Sequence, residues 1–137
     1  MMNARNLIIV LFVVIAAVLL WRYFGAPGEG GGKALAEVTV PSLSATAREG
    51  EALFNANCAA CHGRNAAGVD GAGPPLIHII YEPGHHPDGA FHSAVRNGVR
   101  SHHWQFGNMA PVEGVGPAEV DSIVAYIRQV QRANGIR

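Results

Sequence analysis

One short motif in the chain has residue types and a spacing that define a chemistry, Cys58-Ala59-Ala60-Cys61-His62. Two thiols three positions apart, followed at once by an imidazole, form the pattern by which proteins attach c-type haem. Each thiol forms a thioether with one haem vinyl group, and the histidine is placed to ligate the iron. Cys58 and Cys61 are therefore candidate covalent haem attachment sites, and His62 is a candidate axial ligand.

Three other chemistries also use a Cys-x-x-Cys pair. A thioredoxin-like redox pair requires a surrounding βαβ pattern, which this sequence does not show. A zinc site is an alternative, since the chain has seven histidines and zinc accepts mixed cysteine and histidine ligands. A structural disulfide across so short a loop would be strained. The histidine that directly follows the second cysteine favours haem over all three.

A second axial ligand can be sought among the methionines, of which the chain has three. Met1 and Met2 precede an apolar segment that would separate them from the haem motif. Met109 remains, in a loop bounded by glycine and proline, and we predict it as the second iron ligand. His102 and His103 are the rival candidates.

Composition narrows the classes of function. The formal net charge is +0, which argues against a nucleic-acid partner. The sequence shows no Ser/His/Asp set, paired carboxylates or phosphate-binding loop, so we predict an electron carrier without a small-molecule substrate, and not an enzyme. A domain of roughly 90 residues buries little surface by itself, and a covalently held apolar macrocycle would complete its core.

Three helices are predicted to position these groups, and no strand pattern competes with them. The first opens at Thr46, where Thr46 and Glu49 fit a capping box, and it delivers Cys58 to the haem. The second is predicted over Asp88–Asn97 and ends at the glycine cap Gly98. The third is predicted to begin at Gly116-Pro117, with proline in the first helical position, and to end at Asn134-Gly135. The predicted fold class is all-α.

The amino-terminal segment is strongly apolar. No polar side chain occurs from Leu7 to Trp21, and Trp21, Arg22 and Tyr23 suit a membrane interface. We predict an uncleaved transmembrane anchor over residues 1–24. The alternative is a cleaved signal peptide, but the small-residue triplet Ala34-Leu35-Ala36 lies too far along the chain for efficient cleavage.

Residues 25–44 are rich in glycine and proline and are predicted to form a flexible linker. The alternative is that this segment packs along a larger complex. The remaining residues, 45–137, form the predicted haem domain.

The soluble part, from about Thr46 to Ile136, resembles a class I c-type cytochrome of the membrane-anchored bacterial kind. Besides the haem motif, the resemblance rests on three features. Gly50, Phe54 and Tyr126 resemble the contact between the family's terminal helices, Gly73-Pro74-Pro75-Leu76 resembles its Gly-Pro-x-Leu segment, and Ala94-Val95-Arg96-Asn97-Gly98 resembles the helix end before its methionine loop. Family methionines are often followed directly by proline, whereas here Ala110 intervenes.

The resemblance implies a small cytochrome c fold wrapped around one covalent haem c. It implies that Pro74 offers its carbonyl to the Nδ1–H of His62, which selects the tautomer that ligates iron. It also implies a one-electron carrier, tethered to a bacterial inner membrane with its haem domain in the periplasm, that shuttles electrons between respiratory or periplasmic redox partner proteins. The alternative role is a haem subunit of a larger dehydrogenase or oxidase complex.

Four histidines lie in two pairs on either side of the second helix, His85-His86 and His102-His103. They are a candidate second metal site, for which copper fits the imidazole ligands best. The alternative is that they are solvent-exposed polar side chains on loops. Trp104, or one of these histidines, is a candidate hydrogen-bond donor to a haem propionate.

Overall fold

The computed structural model describes residues 3–24 and 32–137, and its regular structure is helical. Within these two ranges there is no strand, only isolated bridges between Val69 and Gly73 and between Val99 and Met109. The prediction of a mostly helical fold is confirmed. The helices are α1 (Ala4–Phe24), α2 (Ala45–Asn57), α3 (Ala59–His62), α4 (Asp88–Asn97) and α5 (Pro117–Ala133), with short 3₁₀ turns at Arg64–Ala66 and Ile79–Tyr81.

The predicted start of α2 at Thr46 is wrong by two positions. The N-cap is Ser44, whose hydroxyl accepts a hydrogen bond from the amide of Ala47 at 3.2 Å. Gln129 of α5 contacts the same residue twice, by accepting from the Ser44 amide and donating to its hydroxyl. Because of this contact with α5, the N-cap is Ser44 and not Thr46, where the local sequence predicts a capping box.

The bounds of α4 and α5 agree with the prediction. Helix α4 covers Asp88–Asn97 and ends at Gly98, which has φ 72°. Helix α5 begins with Pro117 directly after its N-cap, Gly116, whose amide donates to the Glu119 side chain at 2.6 Å. Gly98 ends α4 and Pro117 begins α5 through their own backbone preferences, which do not depend on distant contacts.

The core lies where α2 crosses α5. Gly50 is in backbone contact with α5, since a Cβ atom built on it would lie 1.8 Å from the carbonyl oxygen of Ser122. One turn later the rings of Phe54 and Tyr126 pack with centroids 5.6 Å apart. Both rings are fully buried. The crossing therefore brings the start of the haem motif against the carboxy-terminal helix.

Helix α1 is 21 residues long. Its side chains from Ile9 to Leu20, all apolar, are exposed. The part of the chain that the structure describes contains no helix long and apolar enough to cross a membrane. The interfacial roles predicted for Trp21, Arg22 and Tyr23 concern side chains that lie outside the described set.

The second half of the predicted linker differs from a free tether. The amides of Leu35 and Ala36 donate to the carbonyl of Ala67 at 3.1 and 3.0 Å. Thr39 exchanges two hydrogen bonds with the side chain of Asn134 at the end of α5. These residues pack on the haem domain, and the predicted flexibility of residues 25–31 falls outside the described residues.

Candidate haem site

The haem motif lies at the junction of two helices. Cys58 ends α2, with its amide donating to the carbonyl of Phe54 at 2.8 Å, and α3 follows as a single turn that ends at His62. The amide of His62 donates to the carbonyl of Cys58 at 2.9 Å. The helical turn therefore holds Cys58, Cys61 and His62 in a fixed relation to the core contact at Phe54.

The imidazole of His62 is oriented by a backbone carbonyl. Its Nδ1 lies 3.0 Å from the carbonyl oxygen of Pro74, and because a carbonyl only accepts, Nδ1 carries the proton. Burial lowers the pKa of His62, although the hydrogen bond to Pro74 opposes this shift. The ring is therefore kept neutral with Nε2 available as an electron-pair donor, which is the form that ligates a metal. This hydrogen bond is the one that the family resemblance implies.

His62 faces a cavity of about 600 Å³ with mostly apolar walls. Helices α4 and α5 contribute one side, and the loop that follows Gly98 contributes another. Cys58, Pro74 and Met109 line the same cavity as His62. The apolar residues that line it are Phe54, Leu76, Phe91, Val95, Val99, Phe106, Val120, Ile123 and Ile127.

Met109 is held in the cavity wall by its backbone. Its amide and carbonyl both bond to Val99, each at 2.9 Å, which closes the loop between them. Gly98 allows this approach, since an added Cβ atom there would lie 2.4 Å from the Met109 carbonyl oxygen. The end of α4 thus positions the methionine, which is half-buried.

Trp104 supplies a buried donor at the same cavity. Its indole Nε1 is buried and has no hydrogen-bond partner among the described residues. Burial raises the pKa of Tyr81, and the indole of Trp104 opposes this rise. An unpaired buried N–H is costly, so a ligand with an acceptor, such as a propionate, suits this position.

The residues of this cavity fit a covalently attached haem. Its volume lies within the range for bound cofactors. The Cys58 thiol and the His62 imidazole line it, Met109 lines it as well, and Cys61 lies on the same helical turn as His62. Burial, together with the neighbouring Cys61, raises the pKa of the Cys58 thiol to about 11. A thioredoxin-like pair requires the opposite shift, so the geometry favours thioether attachment over thiol–disulfide exchange.

Comparison with known proteins agrees with this geometry. A family model described as Cytochrome c matches residues 47–131. The chain belongs to the cytochrome c family. No curated protein and no solved structure shows a significant match to it. Cytochromes c bind haem and transfer electrons to redox partner proteins, and this chain is a haem-based electron carrier by its family.

Of the four clustered histidines of this cytochrome, three have converging ligand atoms and one does not. Ligand atoms of His85, His86 and His103 all lie within 4.8 Å of one another. His102 packs on His103 with ring centroids 4.3 Å apart, but its Nδ1–H donates to the carbonyl of Arg100, and it does not join the converging set. His86, His102 and His103 also line the haem cavity, so the cluster lies at the cavity rim.

Arg128 is a structural residue of the site that sequence reasoning missed. Arg128 is only 6 % exposed. Its guanidinium donates to the carbonyls of Tyr81 and His86 and to the side-chain oxygen of Gln131. It also donates to Asp88 at 2.8 Å. These bonds tie α5 to the loop that carries the first histidine pair. The one sequence signal was an arginine on the otherwise apolar stripe of α5.

Proposed function

We propose that this cytochrome c is a monohaem, one-electron carrier, tethered to a bacterial inner membrane with its haem domain in the periplasm. In this proposal Cys58 and Cys61 hold the haem covalently, and His62 and Met109 are the two axial ligands. When bound, the haem supplies a one-electron iron couple. The observation that carries the proposal is that Cys58, His62 and Met109 line one apolar cavity, with the Nδ1 of His62 held by the Pro74 carbonyl so that Nε2 is free to ligate. Cys61 lies on the same helical turn as Cys58 and His62.

The chain's own residues would tune that couple. A thioether ligand favours the reduced iron, so histidine–methionine ligation raises the potential relative to two histidines. The apolar walls from α4 and α5 exclude water, and burial also favours the less charged reduced centre. The buried indole N–H of Trp104 is available to a propionate.

The proposed membrane anchor rests on the amino-terminal sequence, which has no polar side chain from Leu7 to Trp21. A helix that is apolar all round is buried in a protein core or in a membrane, and no other part of the described chain covers its side chains from Ile9 to Leu20. Because the linker packs on the domain from Lys33 onward, any freedom of the tether is confined to the residues before it.

Spectroscopy of the purified full-length protein tests the proposal. We expect one covalently bound haem per chain, a reversible one-electron titration, and no binding of carbon monoxide to the reduced protein because both axial positions are filled. Replacing both cysteines by alanine should abolish covalent attachment. A reduced protein that binds carbon monoxide readily would contradict the two-ligand assignment, and co-purification of a stoichiometric partner would favour a subunit of a larger complex.

A further inference from the structure

Four imidazoles pack together at one rim of the haem cavity, on the loops before and after α4. The rings of His85 and His86 have centroids 4.8 Å apart, and those of His85 and His103 are 5.1 Å apart. His102 stacks beside His86 at 6.0 Å. Within the described residues, these loops bring together side chains that are 18 positions apart in the sequence. The haem ligation proposed above uses none of them.

Two of these histidines have nitrogens spaced like two ligands of a single ion. The Nε2 atoms of His85 and His103 are 3.1 Å apart. Two nitrogens at 2.0–2.1 Å from a metal are about 2.9 Å apart at a right angle and about 3.3 Å apart at a tetrahedral angle. The ligand atom of His86 lies within 4.8 Å of both. Two ligands at these bond lengths are at most about 4.2 Å apart, so an inward shift of the His86 side chain would complete the set.

The imidazole of His86 is pre-oriented. Its Nδ1–H donates to the carbonyl of Ile80 at 2.6 Å, which leaves Nε2 as the electron-pair donor. Metal-bound histidines usually have this carbonyl contact on the other ring nitrogen. The backbone of His86 is held as well, since its carbonyl accepts from buried Arg128 at 2.5 Å.

From this geometry we infer that His85, His86 and His103 form a second metal site that binds a divalent first-row transition ion, with Cu²⁺ bound most tightly. Imidazole nitrogens suit copper, zinc and nickel, and affinity for such ligands peaks at copper. Three nitrogens leave at least one position open for water or another ligand. His102 supports the site by packing on His103 and is not itself a ligand.

Titration of Cu²⁺ into the full-length, haem-loaded protein tests the inference. We expect one equivalent to bind, with an electron paramagnetic resonance signal that shows nitrogen ligands, and with weaker, competing binding of Zn²⁺. In His85→Ala/His103→Ala the affinity should fall by more than roughly 100-fold, since changes that only touch a ligand's supporting contacts already cost 10–100-fold. His85 and His103 are exposed, so this double variant keeps the fold.

His92→Ala is the matched control, because His92 lies on α4 outside the cluster and pairs with Asp121 at 2.9 Å. It should bind Cu²⁺ like the parent protein. The optical spectrum of the haem should be the same in all three proteins, which separates failure of this inference from failure of the haem assignment. Unchanged Cu²⁺ affinity in the double variant, or an equal loss in His92→Ala, would overturn the second site.

Discussion

Arg128 joins three parts of the domain through one buried side chain. Its guanidinium satisfies two backbone carbonyls, at Tyr81 and His86, and contacts Gln131, itself fully buried. Gln131 in turn donates to the carbonyls of Leu76 and Tyr81. Removing the guanidinium would leave the His86 carbonyl and the Gln131 side-chain oxygen without this donor, and a buried acceptor that loses its donor is costly.

We therefore predict that Arg128→Met lowers the free energy of unfolding by about 2–4 kcal/mol, because the His86 carbonyl and the Gln131 side-chain oxygen lose a donor, at about 1–3 kcal/mol for each acceptor left unpaired. Chemical denaturation of the haem-loaded protein measures the loss. The control is Asp88→Asn: the Asp88 side chain is 66 % exposed, and its ion pair should contribute about 1 kcal/mol or less. Equal losses in the two variants would mean that the ion pair, and not the carbonyl network, carries the stability.

Met109 gives a second prediction at the scale of one residue. Met109→Leu should leave the haem attached through Cys58 and Cys61 but remove the sulfur ligand. Any sulfur-to-iron absorption band of the oxidised protein should then disappear, and the midpoint potential should fall if water or a histidine takes the position. An unchanged spectrum and potential would reject Met109, and repetition in a His102→Ala/His103→Ala background would test those two rival ligands.

Tyr126 provides a pH-dependent prediction. Burial raises the pKa of its hydroxyl to about 12, with Glu51 adding to the rise and Arg64 opposing it. Above the ordinary value of 10.0 the unfolded chain loses this proton while the folded chain keeps it, so stability is retained below pH 10 and lost as pH rises through 12. Melting temperatures between pH 8 and 12 measure this.

Tyr126→Phe is the control for that series, because it removes the titrating group and keeps the ring against Phe54. The difference in stability between the two proteins should grow in favour of the phenylalanine variant above pH 10. A constant difference across the whole range would show that Tyr126 ionises equally in both states. Near neutral pH the substitution should change stability by about 1 kcal/mol or less, since the hydroxyl has no hydrogen-bond partner among the described residues.

At the scale of the helices, the crossing of α2 and α5 depends on one position without a side chain. Gly50→Ala would place a methyl group against the backbone of Ser122 and Ile123, which cannot move aside as a side-chain tip can. We expect a loss of about 3 kcal/mol or more in the free energy of unfolding, at or above the upper end for overpacked cores.

The matched control is Gly89→Ala in the first turn of α4. An added Cβ atom there has no neighbour within 4 Å, so alanine should be neutral or stabilise the helix by up to about 1 kcal/mol. Both variants are compared by chemical denaturation. Similar behaviour at the two glycines would show that helix propensity, and not the close crossing, governs Gly50.

At the scale of the whole molecule, the prediction concerns attachment to membranes. Membranes washed with high salt or carbonate should retain the full-length cytochrome, because burial of the apolar residues of α1 in lipid does not depend on charge. Replacing residues 1–26 by a cleavable signal should release a soluble haem protein. A mature amino terminus at Glu37, with the protein in the soluble periplasmic fraction, would contradict the anchor.

Several features were determined by the sequence alone, because each depends on neighbours in the chain. The haem motif is five consecutive residues, so its chemistry can be read without a fold. The bounds of α4 and α5 follow from Gly98, Pro117 and the glycine after α5, which act on their own backbone. The apolar run of α1 and the candidate role of Met109 were likewise visible in the order of residues.

Tertiary structure decided the features that depend on distant contacts. Ser44 became the cap of α2 because Gln129, 85 residues away, bonds to it, and the linker packs because Thr39 meets Asn134 across 95 residues. The sequence showed that four histidines lie near one another along the chain. Only the folded loops show that the ligand atoms of three of them converge, whereas His102 donates a hydrogen bond to the carbonyl of Arg100. The burial of Arg128 also depends on tertiary structure, because the carbonyls that it contacts lie in a loop more than 40 residues before it in the chain.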